Sequence, residues 1–565
     1  MNRIKTILHY LWKEHRLTVI FAANLFIFII LLLKNPFSDR NLIPNFDPFP
    51  DSIHYINPAR SIIAGYGLKI TREGRYITAN VPPLYSIVLV PLFLVYNDAR
   101  MFYITNIILS LFSFIIYFSI LRKITRNSRI IGFSLFLYVT NYFLYWYPTL
   151  AMAENLILPL FLLGIWLLLE PVSIMKSLLA GFIAVGFYAT KYAAVPLSVS
   201  FFAIFFIKLL LELKNDKRNF KYLFSYLGFF TTCLAAFYFI EYSVKHINII
   251  TSILAVPLAL LKNGLHLFDF QKPHLSETAL YSEKRAVFSN THLNENFPLY
   301  IKALLGQPAR ILWDATPIAP AFVAIGGWIG LVASLFNRKL RFLAISLLMM
   351  LLPNVYLISS FYTFDMRYLF HAIPSLFIAF AMMLALLDRY RYKKNIKRVF
   401  NLLIFISFFI YLSINIIRLK NQVMLNIKHH QDPWNYLSIV ELNKYFNKKP
   451  TKKKKPVVIS AFPPYFIDFY SNGNYRVFPL SPHQEFRDHK KEAWGDYDYT
   501  DIFVLYKKFI KEGADVYVQN YGIGHVYYLI HAYDEMEKLF IFKQVTSGCY
   551  NSCNIYKLEP IKSEL

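Results

Sequence analysis

The sequence predicts a polytopic α-helical membrane protein with about eleven transmembrane helices, further interfacial helices and a small C-terminal α/β domain. Three observations predict it. Of the 565 residues, 56% are hydrophobic and 18% aromatic, and the apolar residues fall in blocks long enough to cross roughly 30 Å of hydrocarbon. The 60 Lys and Arg against 34 Asp and Glu leave a formal charge of +26, and much of that excess sits in short loops between the blocks. After Val457 the blocks stop and short strand-like and helix-like segments alternate.

The blocks run approximately 17–33, 101–121, 130–147, 154–169, 177–190, 192–211, 222–240, 317–336, 342–358, 368–387 and 399–417. Leu17 to Leu33 has no small-residue cleavage site behind it and reads as a retained anchor. Basic residues cluster at Arg3 to Arg16, Arg122 to Arg129, Lys214 to Lys221, Arg338 to Arg341 and Arg389 to Arg398. A cytoplasmic N-terminus puts all of them inside, as the positive-inside rule requires. In this setting the charge orients the chain and meets anionic headgroups, so nucleic acid is not the expected partner. Leu84 to Tyr96, after Pro82-Pro83, is too short for a comfortable span and is read as an interfacial helix on the outer side.

The expected organisation is a transmembrane domain over 1–418, a linker over 419–455 and an extracytoplasmic α/β domain over 456–565. In the last, Val457 to Ser460 and Ala514 to Val518 read as strands, and Asp501 to Ile510 and Tyr527 to Leu539 as helices. Leu539 to Lys543 and Asn554 to Leu558 read as a hairpin around Cys549 and Cys553. A bridge between those two cysteines is permitted outside the cytoplasm; unpaired thiols are the alternative. Cys233 lies in an apolar block and reads as a packing residue.

Charges at span ends are costly and invite a functional question. Asp51, in the first outer loop, suits a general base in a water-poor pocket or a helix N-cap. Glu154 opens a block as an interfacial acid favoured by the helix dipole or as a site residue. Lys191, between two blocks, either snorkels to headgroups or meets a lipid-linked phosphate. Arg367, in Asp365-Met366-Arg367-Tyr368, has the fork geometry that grips phosphate. His54 follows Asp51 by three residues, but no matching His or Cys cluster accompanies it, so no metal is expected. No Gly-rich phosphate loop is present, so no nucleotide signature either.

These residues resemble the GT-C membrane glycosyltransferases, in the branch of protein O-mannosyltransferases, aminoarabinose transferases and Rgt-type galacturonosyltransferases. The likeness is carried by Asp51-Ser52-x-x-Tyr55 with Ala59-Arg60 and Gly65-Tyr66-Gly67, by Pro82-Pro83-Leu84, by Ala153-Glu154-Asn155, and by Met366-Arg367-Tyr368-Leu369 ahead of Pro374. It spans roughly residues 15–380. It implies a glycosyltransferase that moves a sugar from a polyprenyl-phosphate carrier to a glycan, lipid or protein acceptor at the outer membrane face, by inverting displacement and without a cofactor. Asp51 would be the base, and Glu154 would orient acceptor or sugar. Lys191 and Arg367 would hold the donor phosphate, with Tyr55, Arg60 and Tyr368 as further substrate contacts. The chain departs from the pattern in having Asp51-Ser52 where many relatives carry two acids, and it has no Trp-Trp-Asp motif. A transporter or flippase of lipid-linked sugars and a non-catalytic membrane scaffold are the competing classes. The first is disfavoured by charges at span ends and by the lack of a visible repeat; the second has no use for Asp51.

Overall fold

The structure is a computed structural model. It describes residues 2–33, 50–72, 75–79, 81–96, 101–245, 290–311, 314–361, 364–389, most of 402–420, 434–447, 454–461, 467–468, 471, 474–480, 500–521, 523, 527–548 and 553–561. Two compact units emerge. The first comprises Met1–Pro36, Val81–Ser276 and Lys284–His429, and the second Phe37–Asn80, Glu277–Glu283 and His430–Leu565.

The first unit is a helical bundle. Its helices are α1 (Asn2–Leu32), α3 (Pro83–Val95), α4 (Met101–Ile124), α5 (Ser128–Val139), α6 (Tyr142–Trp146), α7 (Glu154–Leu169), α8 (Ile174–Thr190), α9 (Val195–Asn215) and α10 (Phe220–Lys245). They continue with α11 (Asn290–Leu304), α12 (Ala321–Leu335), α13 (Arg341–Ser359) and α14 (Ala372–Arg389), with a hairpin of β3 (Pro308–Ile311) and β4 (Asp314–Pro317) between α11 and α12. The described residues between 402 and 420 are helical as well. Among the described residues, six apolar stretches have the length and hydropathy to cross a membrane: His15–Leu32, Met101–Ile124, Tyr192–Lys214, Lys217–Tyr242, Arg341–Ser359 and Ala372–Arg389. The remaining apolar helices are shorter, among them α7, α8 and α12. Leu84 to Tyr96, read as an interfacial helix, is helical over Pro83–Val95.

One block is not a single helix. The run 130–147 breaks at Thr140-Asn141 because Asn141 caps a new turn, its Oδ1 accepting from Leu144 N at 3.3 Å. Its Nδ2 donates to the Ile318 carbonyl at 2.9 Å. A 3-10 turn, Tyr147–Thr149, follows with Pro148 inside it. The chain is thereby turned before α7 begins.

Helices α12 and α14 approach closely because glycine lines their contact. A Cβ built on Gly330 would lie 2.2 Å from the Ala379 carbonyl oxygen, and one on Gly327 2.9 Å from that of Leu376. Small residues at such crossings are how membrane helices gain dispersion contact where no hydrophobic drive acts between them.

The C-terminal end of α7 is heavily tied. Glu170, its C-cap, pairs with Lys123 at 2.7 Å and Lys176 at 3.0 Å. The buried Lys208 of α9 donates to the carbonyls of Leu167 at 2.9 Å and Leu168 at 3.0 Å, and to that of Glu170. These are the carbonyls a helix end leaves without partners.

In the second unit, α2 (Pro50–Ile63) leads into a hairpin of β1 (Lys69–Arg72) and β2 (Arg75–Thr78). Helix α2 ends on a backbone cap, Tyr66 N to Ser61 O at 2.9 Å and Gly65 N to Ile62 O at 3.0 Å. Gly65 and Gly67 have φ of 80° and 76°, a conformation glycine adopts without strain. That accounts for the Gly-x-Gly spacing.

A five-stranded sheet of order β6-β5-β7-β9-β8 forms the rest of this unit. Its strands are β5 (Val457–Ser460), β6 (Arg476–Pro479), β7 (Val516–Gln519), β8 (Phe540–Thr546) and β9 (Ile555–Pro560). Strand β5 runs parallel to β6 and β7, while β9 is antiparallel to both β7 and β8. Helices α16 (Thr500–Lys511) and α17 (Tyr527–Leu539) supply Phe503, Tyr506, Leu529, Ala532 and Met536 to a core with Val457, Ile459, Val516 and Val518.

Two parts of this sheet region differ from the sequence reading. Strand β6 has no counterpart in it. Within the segment read as a linker, Trp434–Asn447 forms helix α15. It packs on the sheet face opposite α16 and α17: Phe446 stacks near Tyr475 and Tyr517 at 4.8 and 5.2 Å, and Gln519 Nε2 donates to Ser438 O at 2.9 Å. Its polar face gives it the composition of a linker; Ile439, Leu442 and Phe446 make it part of the domain. Cys553 is disulfide-bonded and Cys233 is free; Cys549 lies outside the described residues.

Candidate active site

Glu154 is the first residue of α7, where the unpaired N–H groups and the dipole of a helix favour an anion. The loop before it is pinned by amides. Asn155 Nδ2 faces the carbonyls of Leu150 at 2.8 Å, Met152 at 3.1 Å and Tyr147 at 3.4 Å. Asn106, from α4, donates to Pro148 O at 3.0 Å and Leu150 O at 2.8 Å, and accepts from Tyr85 of α3 at 2.8 Å. Three helices thus fix where Glu154 begins, and its side chain is buried.

Lys191 lies between α8 and α9 in extended conformation, with φ −156° and ψ 128°. The 3-10 turn Tyr192–Ala194 follows it, and Pro196 starts α9. This elbow points the ammonium at Glu154, with which it forms an ion pair. The same ammonium stands 4.6 Å from the centre of the Tyr368 ring, within cation–π range.

Arg367 comes from a 3-10 turn, Met366–Leu369, ahead of α14. Asp365 both caps that turn, accepting from Arg367 N at 2.9 Å, and holds the guanidinium, at 3.2 Å from Nε. Burial pushes the Asp365 carboxyl above the usual carboxylate range, and Arg367 pulls it back. Tyr300 of α11 donates to the Asp365 carbonyl at 3.1 Å. The guanidinium lies 5.1 Å from the Tyr368 ring, with Nη2 at 3.2 Å from its hydroxyl. Tyr368 therefore receives both cations.

Glu154, Lys191, Arg367 and Tyr368 line one cleft, together with Ile157, Ala193, Ala194, Leu197, Asn354, Phe370 and His371. Two cations and two carboxylates leave the cleft and its rim near neutrality. An ammonium has three N–H groups and a guanidinium five. Glu154 Oε2 is buried without a hydrogen-bond partner among the described residues.

The other sequence candidates lie elsewhere in the chain's organisation. Asp51, Tyr55 and Arg60 are on α2, in the second compact unit. The backbone of Asp51 is at the start of that helix; its side chain lies outside the described residues. Tyr55 is buried and Arg60 partly so. Asn106, Tyr85, Asn354 and His371 were not legible as site residues. They are single polar residues within or beside apolar runs, and only the fold gives them neighbours. Among the described residues no three His, Cys, Asp or Glu side chains converge as a metal site would need.

The fold is similar to that of two solved membrane proteins. ArnT from Cupriavidus metallidurans, bound to undecaprenyl phosphate, aligns with a TM-score of 0.56 at 10% identity, over 96% of this chain and 98% of that one. The archaeal oligosaccharyltransferase AglB from Archaeoglobus fulgidus, in complex with an inhibitory peptide and a dolichol-phosphate, aligns with a TM-score of 0.52 at 12% identity, over 98% of this chain and 75% of that one. No family model and no curated protein matches the sequence. At these identities the fold is what is shared, and it is a polytopic helical architecture with a small C-terminal sheet, as the sequence predicts.

Proposed function

We propose that this chain is a membrane glycosyltransferase that takes a sugar from a polyprenyl-phosphate carrier and passes it to an acceptor on the extracytoplasmic side. The observation that carries the proposal is the meeting of Lys191 and Arg367 at the ring of Tyr368, beside Glu154, in one cleft. That two proteins of similar fold hold undecaprenyl phosphate and dolichol-phosphate supports the choice of donor.

In the proposed reaction an acceptor oxygen or nitrogen attacks the anomeric carbon and forms the new bond. The bond from that carbon to the phosphate oxygen breaks, and its electron pair leaves with the phosphate. The anomeric centre inverts. The leaving group gains charge, which calls for cations already in place rather than a proton donor; Lys191 and Arg367 supply them. The acceptor's proton passes to a carboxylate, the role we assign to Asp51 from its place after the first span. Glu154 holds Lys191 at the start of α7 and offers its second oxygen to an acceptor or sugar hydroxyl. No cofactor is required, and a chelator is expected to leave transfer unchanged. The C-terminal domain is assigned to acceptor recognition.

The test is incubation of the purified protein, in lipid, with a panel of undecaprenyl-phosphate sugars and candidate acceptors. Release of undecaprenyl phosphate from one of them is expected. The Asp51→Asn protein should release it about a thousandfold more slowly while still binding undecaprenyl phosphate. A wild-type protein that neither binds that lipid nor releases it would end this reading in favour of a scaffold.

A further inference from the structure

His371 lines the same cleft and has no role in the reaction as written. It follows the Arg367 turn and immediately precedes α14. Its ring lies 5.4 Å from that of Phe161 on α7. One ring nitrogen faces the Met350 carbonyl of α13. Asn354 Nδ2 donates to the same oxygen at 2.7 Å. The other nitrogen, Nε2, is buried without a hydrogen-bond partner among the described residues, in a residue only 2% exposed. An imidazole that donates through one nitrogen presents a lone pair at the other. With the proton on Nδ1, Nε2 is the acceptor.

From this we infer that His371 is a specificity residue that reads the sugar of the donor: its Nε2 accepts a hydrogen bond from a hydroxyl of the glycosyl group. The inference rests on the reading of the cleft given above. A phosphate oxygen carries no proton for that lone pair, so the carrier's phosphate belongs to Lys191 and Arg367. A sugar hydroxyl has the proton that Nε2 lacks. A buried acceptor left unmet is costly, so a donor missing that hydroxyl is rejected.

Two ligands separate this role from a structural one: undecaprenyl phosphate alone, and the undecaprenyl-phosphate sugar that the panel selects. The His371→Phe protein keeps a ring against Phe161 and loses the acceptor. It should bind the glycosylated lipid about tenfold more weakly and undecaprenyl phosphate within about twofold of wild type. His371→Gln, which restores an acceptor oxygen and stands in should the phenylalanine protein not fold, should recover part of the lost affinity. Arg367→Met, as a control, should weaken both ligands together. Equal losses for both ligands in the His371 variants, or no loss for either, would overturn the inference. Failure of wild type to bind either lipid would instead remove the reading beneath it.

Discussion

Helix α7 carries a carboxylate at each end, and the two are treated differently. Glu170, at the C-terminal end, is held by Lys123 and Lys176, while Lys208 closes the last carbonyls. Glu154, at the N-terminal end, has Lys191 on one oxygen and no hydrogen-bond partner on the other among the described residues. One end is saturated, as a structural anchor should be. The other keeps unspent capacity beside a cleft, which is where binding has something to gain. Number and completeness of partners, more than the presence of charge, separate a fastening from a site.

Substitutions at the two ends sharpen that contrast. The largest effect is expected at the cleft: Lys191→Met should slow release of undecaprenyl phosphate by about a hundredfold or more. At the other end Lys208→Met removes the ammonium from the Leu168 and Glu170 carbonyls and should cost about 1.5–3 kcal/mol of stability, read as a lowered unfolding temperature, with turnover in the surviving protein near wild type. If Lys208→Met abolished turnover without loosening the fold, the contrast would collapse. Acid should separate the carboxylates further. Burial raises Asp365, so as pH falls it takes a proton above the ordinary carboxylate range and loosens its hold on Arg367. An acid limb in the turnover profile is expected there, and Asp365→Asn should remove it. Lys123 and Lys176 lower Glu170. Its stabilising contribution is complete above the ordinary carboxylate range and disappears only as pH drops through the lowered value, so the fold should outlast the activity. Smallest of all, Glu170→Gln should leave turnover within about twofold of wild type.

Much of the fold was legible because membrane helices and short strands are written locally. Long apolar runs gave most of the helices, and short strand-like runs gave β5, β7 and the β8–β9 hairpin. Where meaning depends on distant partners, the sequence falls silent. Strand β6 is a four-residue segment whose apolar Val477 and Phe478 become a strand beside β5. Helix α15 looks solvated until its apolar stripe meets Tyr475 and Tyr517. In the cleft, Glu154, Lys191 and the Arg367-Tyr368 pair stood out as charges and an aromatic at the ends of apolar blocks. Their grouping is a fact of packing. Asp365 was visible as part of the same run, yet its double hold on Arg367 is a matter of backbone geometry. Asn106, 48 positions before Glu154 in the chain, acts through loop carbonyls that no local pattern announces.

The glycine contact between α12 and α14 carries a consequence for that cleft. One extra carbon at position 330 would enter space held by the Ala379 carbonyl, forcing the two helices apart. The 3-10 turn bearing Arg367 is bolted just ahead of one of those helices. A methyl group at this crossing would therefore shift the turn that bears Arg367, with every polar atom of the cleft still present.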